Sequence, residues 1–108
     1  MHIPHLDQKT IESIKQRLIE TYDPSAIYLL EPQQENNVDV SIMVIVEQAE
    51  LQQRYAMMAE GHKALIGIKI PKNILVYTKK EFEDYSNDAS TLSYSIKHYG
   101  KCIYAKSY

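Results

Sequence analysis

The decamer NVDVSIMVIV, residues 37–46, constrains this chain more than any other segment. Val38, Val40, Ile42, Val44 and Val46 alternate along it, and all five are β-branched. Branching at Cβ restricts χ1 and suits an extended backbone. The other face carries Asn37, Asp39, Ser41, Met43 and Ile45, so both faces turn apolar towards the end. A strand apolar on both sides must be covered on both sides. The chain therefore needs a sheet with this strand in its middle and helices on each face.

The flanking segments supply those parts. Asp7 can cap a first helix in which Ile11, Ile14, Leu18 and Ile19 form one apolar stripe. Pro24 stops that helix at Asp23. Residues 26–30 (AIYLL) read as a short buried strand, and residues 31–37 (EPQQENN) as a turn. After the central strand, residues 49–65 read as a helix with Leu51, Tyr55, Met58, His62 and Leu65 on its inner stripe. Gly61 interrupts that helix at a cost of about 1 kcal/mol relative to alanine, and Gly67 suits its exit. Residues 72–77 (KNILVY) form a third strand, and Thr78 with Glu81 makes a capping box for a short helix bearing Phe82. Leu92, Ile96 and Tyr99 align on a last helix over residues 88–99, Gly100 closes it, and residues 102–105 can add an edge strand. The order α-β-β-α-β-α-α-β predicts the α/β (α+β) class, with a mixed sheet of three to four strands and helices packed on it.

Composition narrows the function. With 108 residues, the expectation is one domain spanning 1–108. The net charge of −2 gives no basic nucleic-acid footprint. No apolar run approaches the ~20 residues of a membrane span, and MHIPHLDQKT lacks the apolar centre of a signal peptide. Cys102 stands alone, so no internal disulfide is possible and a reducing cytoplasm is the simplest location. Cys102 reads as a buried structural thiol, the nine tyrosines as packing at the rim of a core, and His62 and His98 as structural or capping residues; His2 and His5 sit in the N-terminal segment. Lys79, Lys80, Glu81, Glu83 and Asp84 read as a solvated helix surface. Tyr55, Met57 and Met58 could offer a face to another chain, with core packing the simpler reading.

Three segments carry a resemblance: AIYLLEP…NNVDVSIMVIV, IPKNILVYTKKEF and STLSYSIKHYGKCIYA. Together with the element order they resemble the minimal nucleotidyltransferases of the polymerase-β superfamily, over about four-fifths of the chain. Members carry a strand, a Gly-Ser turn, then an Asp-x-Asp motif opening the next strand, and a third acid at the start of the following one. Residues two apart on a strand point the same way, so that motif aims two carboxylates at one place. The acids hold two divalent ions, about 3.5–4 Å apart, that neutralise charge developing on the phosphate.

Laid on this sequence, the motif puts Asn37 at the first acid, Asp39 at the second and Asn73 at the third. A shifted register uses Asp39 and Ser41 as the pair. Either way one carboxylate remains. Glu31 and Pro32 stand where the Gly-Ser turn would greet a triphosphate, and proline has no N–H to offer. The resemblance thus implies a catalytically degenerate nucleotidyltransferase-like protein. On this reading Asp39 is the remaining catalytic and metal position, and Asn37, Ser41 and Asn73 are substrate- or nucleotide-binding positions. No cofactor is expected, or Mg²⁺ if the chain is active. Small proteins of this kind often act as the antitoxin beside a helical HEPN-type partner, which makes a binding or regulatory module the first reading, with homo-oligomerisation also open. The alternatives are an active Mg²⁺-dependent transferase moving a nucleoside monophosphate from a triphosphate, and a nucleotide sensor without turnover.

Overall fold

A computed structural model describes residues 6–32 and 39–106. Helix α1 spans Gln8–Tyr22, strand β1 Ala26–Leu30 and strand β2 Val40–Val46. A 3₁₀ turn at Leu51–Gln53 leads into α2, Arg54–Ala64. Then come β3 (Lys72–Thr78), α3 (Lys79–Tyr85), α4 (Leu92–Tyr99) and β4 (Lys101–Ala105). The four strands form one mixed sheet in the order β3-β2-β1-β4. β1 is antiparallel to both β2 and β4, whereas β2 and β3 are parallel, with α2 in the connection between them.

The decamer reading holds for the part described. Ile42 and Val44 are fully buried in one cluster with Ile14 and Leu18 of α1 and with Leu65. Met43 and Ile45 are buried in a second cluster, against Phe82 of α3 and Ile96 of α4. The sheet is thus covered by α1 and α2 on one face and by α3 and α4 on the other.

Local signals set the boundaries. The Asp7 carboxylate accepts from the Thr10 amide at 2.8 Å and starts α1. Asp23 ends it in the left-handed region at φ 47°, one residue before Pro24. Thr78 and Glu81 form the capping box that T-x-x-E predicts. Thr91 caps α4, which is shorter than the expected 88–99.

Four residues assigned to inner stripes are exposed. Leu51 and Tyr55, assigned to the inner stripe of α2, are 75% and 83% exposed. Tyr99, aligned with Leu92 and Ile96 in the sequence, is 68% exposed. The reason in α2 is rotation: the helix begins only at Arg54 and turns Gly61 inward, with Met57 and Met58 packed against the core. The exposed side is left to Leu51 and Tyr55, while His62 also faces out.

Gly61 is therefore a close-approach residue, not a flaw in the helix. A Cβ here would collide with the Tyr22 hydroxyl and sit 3.1 Å from an Ile74 methyl. That hydroxyl donates to the Met57 carbonyl, tying α1 to α2. Burial pushes the Tyr22 phenol up to about 12; its contact with the Gly61 backbone opposes the shift and Glu60 adds to it.

Gly61→Ala is expected to destabilise the fold by about 1–3 kcal/mol through overpacking, despite alanine's better helix propensity. Urea unfolding of Gly61→Ala, Tyr22→Phe and the double variant checks this. The double variant should cost less than the sum, because removing the hydroxyl frees the space that the methyl needs. A phenol with a raised folded value stabilises below pH 10 and loses that contribution as pH climbs towards 12. Tyr22→Phe should accordingly lose less stability than the parent across that window.

Candidate functional site

β2 and β3 open side by side. Ser41 is the register partner of Asn73, and neighbouring strands lie about 4.8 Å apart. Alternation puts Ser41 on the side of Met43 and Ile45, and Asn73 on the side of Leu75 and Tyr77. Leu30 is the partner of Ser41 on β1. Asp39 precedes the strand by one residue and is exposed. The amide of Val40 donates to the Pro71 carbonyl at 2.9 Å and fixes the entrance.

Asp39, Ser41 and Asn73 are therefore gathered at the amino ends of the parallel pair. Asn37 lies outside the described residues. In the register that uses Asp39 and Ser41, Ser41 pairs with Asn73 at the edge that Asp39 leads into. They supply one carboxylate, one hydroxyl and one amide. The hydroxyl and amide oxygens can accept hydrogen bonds or ligate weakly, but they bring no charge to balance a dication. Among the described residues no group of three or more His, Cys, Asp or Glu side chains is arranged to hold a metal ion.

Asp39, Ser41 and Asn73 line none of five cavities found among the described residues. A cavity of about 240 Å³ lies between α1, the end of β1 and the α4–β4 corner, and includes Glu31 and Lys101. Gly100 makes that corner possible: a Cβ there would lie 2.7 Å from the Leu29 carbonyl oxygen.

Sequence reasoning missed a second polar centre. Arg54 reaches from α2 across the outer edge of β3, donating to the Val76 carbonyl at 3.0 Å and the Ala49 carbonyl at 3.1 Å. Its guanidinium also pairs with Glu81 at 2.7 Å. Glu81 in turn accepts from the Thr78 amide at 2.8 Å. Glu81 is thus no solvated surface residue: it joins α2, β3 and α3. Burial disfavours its ionisation, but the Arg54 guanidinium and the Thr78 amide outweigh that and hold its carboxyl below the usual range. The T-x-x-E spacing revealed the cap; nothing in the spacing revealed the arginine.

The other residues singled out in the sequence scatter. His98 is exposed and stacks on Tyr94 with ring centroids 4.1 Å apart. Cys102 is exposed, contrary to the buried-thiol expectation, because β4 is an edge strand with only partial cover. His2 and His5 lie outside the described residues. Comparison with protein-family models, with curated proteins and with solved structures finds no match.

Arg54→Met should destabilise the protein by roughly 2–3 kcal/mol at neutral pH, since it strands a partly buried carboxylate and two carbonyls. A carboxyl with a lowered folded value contributes stability above its unfolded value and loses it as pH falls. The gap between parent and variant in urea midpoint should therefore narrow below pH 4.5. A constant gap down to pH 2 would mean that Glu81 is not the linked group.

Proposed function

We propose that this chain is a nucleotidyltransferase-like domain that works as a binding module, with its metal-dependent chemistry lost. The observation that carries the proposal is the composition of the β2–β3 entrance. The positions where such an enzyme needs three acids hold Asn37, Asp39 and Asn73, or, in the shifted register, Asp39, Ser41 and Asn73, and either way a single carboxylate. A strand–strand–helix–strand order, with β2 antiparallel to β1 and parallel to β3, supports the family reading. Loss of two carboxylates weakens the field that would hold paired dications, and metal stabilisation of the transition state is worth several kcal/mol, hence orders of magnitude in rate.

The partner we propose is a helical protein of the HEPN type. Leu51 and Tyr55 stand exposed beside Met58, Leu75 and Tyr77, and these side chains line an open groove of about 420 Å³. Arg54 occupies the outward Val76 carbonyl on this edge. Addition of a strand to β3 is therefore blocked there, whereas an amphipathic helix can use the side chains alone. Leu51→Ser with Tyr55→Ser should leave the unfolding free energy from urea titration within about 0.5 kcal/mol of the parent. The same pair should abolish co-elution with a neighbour-encoded helical partner in size-exclusion chromatography. A strictly monomeric protein with no such partner would count against this docking role.

Catalysis is tested directly. The protein incubated with labelled nucleoside triphosphates and Mg²⁺ is expected to transfer no label to itself or to added acceptors. Transfer that disappears in Asp39→Ala would instead establish an active enzyme built on a single carboxylate. In the reverse direction, Ser41→Asp with Asn73→Asp restores three carboxylates at the entrance. Mn²⁺ affinity, read by titration calorimetry, should then rise at least about tenfold over the parent. No gain in a folded double variant would mean that these positions do not converge on one ion.

A further inference from the structure

The opposite end of the sheet holds a hollow of its own. It lies past the carboxyl ends of the parallel pair, where open α/β sheets commonly receive ligands. Ile45 near the end of β2, Ala26 at the start of β1, and α3 and α4 enclose about 320 Å³. Small-molecule sites begin at roughly 300 Å³. Its floor is aromatic: the Tyr28 and Phe82 rings pack with centroids 5.0 Å apart and tilted by 32°.

The rim is basic. Lys79 from α3, Lys97 from α4 and Lys106 beyond β4 border the hollow together with Glu83, while Asp23 and Glu47 stand behind it on Lys106 and Ser25. Lys106 also pairs with Asp23 at 3.2 Å, so its ammonium is steered rather than loose. The corner beneath is stiff. The Ser25 amide donates to the Ile45 carbonyl at 2.7 Å, and the Lys106 amide donates to the Ser25 carbonyl at 2.8 Å. The Ser25 hydroxyl, held on Glu47 at 2.9 Å, lines the same wall. Burial first, and the neighbouring Cys102 second, raise the Tyr28 phenol, so it remains a neutral donor at physiological pH.

We infer that this hollow binds a small organic anion with a flat apolar body, the ring lying on Tyr28 and Phe82 and the charge reaching the lysine rim. Aromatic stacking supplies the body's affinity, and Lys79 and Lys97, with Lys106 shared with Asp23, select the anionic head. The site lies at the far end of the sheet from Asp39. It stands independently of the nucleotidyltransferase reading and survives that reading's failure.

Phenyl phosphate is a suitable probe, titrated into isotopically labelled protein and followed by amide chemical shifts. Saturable shifts should cluster at Ser25, Tyr28, Ile45 and Phe82, with a Kd of about 1 mM or tighter. Lys79→Gln with Lys97→Gln, both exposed positions, should weaken binding roughly tenfold at an unchanged unfolding midpoint. Raised salt should weaken it as well. Benzyl alcohol, the neutral counterpart, and inorganic phosphate, which lacks the ring, should each bind more weakly. Shifts that never saturate, or that cluster elsewhere, would overturn the site. Equal binding of benzyl alcohol would overturn the role of the lysines, and equal binding of inorganic phosphate the role of the aromatic floor.

Discussion

Everything in this fold leans on burial of β2 from two sides at once. Ile42 and Val44 need α1 and α2; Met43 and Ile45 need α3 and α4. The strand is thus the shared wall of two cores, and a defect in it is felt in both. Close packing leaves little room to absorb such a defect, since interiors of this density transmit changes of a single methylene. That same wall delivers Ser41 to one rim of the sheet and Ile45 to the other, so the two ends of one strand serve two separate surfaces.

Much of this architecture was legible in the residues. Alternation in NVDVSIMVIV identified the central strand, Asp7 and Thr78 identified two helix starts, and Pro24 identified a stop. These signals are local, each resting on neighbours within four residues. The failures were all matters of rotation or distance. Which face of α2 turns inward depends on Tyr22 and Ile74 accepting Gly61, two partners far along the chain. Helical spacing alone could not separate Met57 from Tyr55, because apolar side chains ring most of that helix. Arg54 was silent for the same reason, as its partners come from β3 and α3. Cys102 was misjudged because edge status is a property of the sheet and not of the strand.

The entrance site was legible only in part. Residue types at Asp39, Ser41 and Asn73 could be read directly, but the pairing of Ser41 with Asn73 required the parallel register of β2 and β3. The basic hollow at the far end could not be read at all. Its lysines come from α3, from α4 and from beyond β4, and its floor from β1 and α3. No window along the sequence contains them together.

The pairing of β1 with β4 has a consequence for biosynthesis. β1 lies inside the finished sheet, yet one of its flanks is completed only by β4. On the ribosome that flank stays open while everything between Leu30 and Lys101 is made. An unpaired apolar strand such as AIYLL is a template for a passing chain. The nascent protein must therefore be shielded or fast during that interval, and release before β4 emerges would leave a species prone to aggregate along β1.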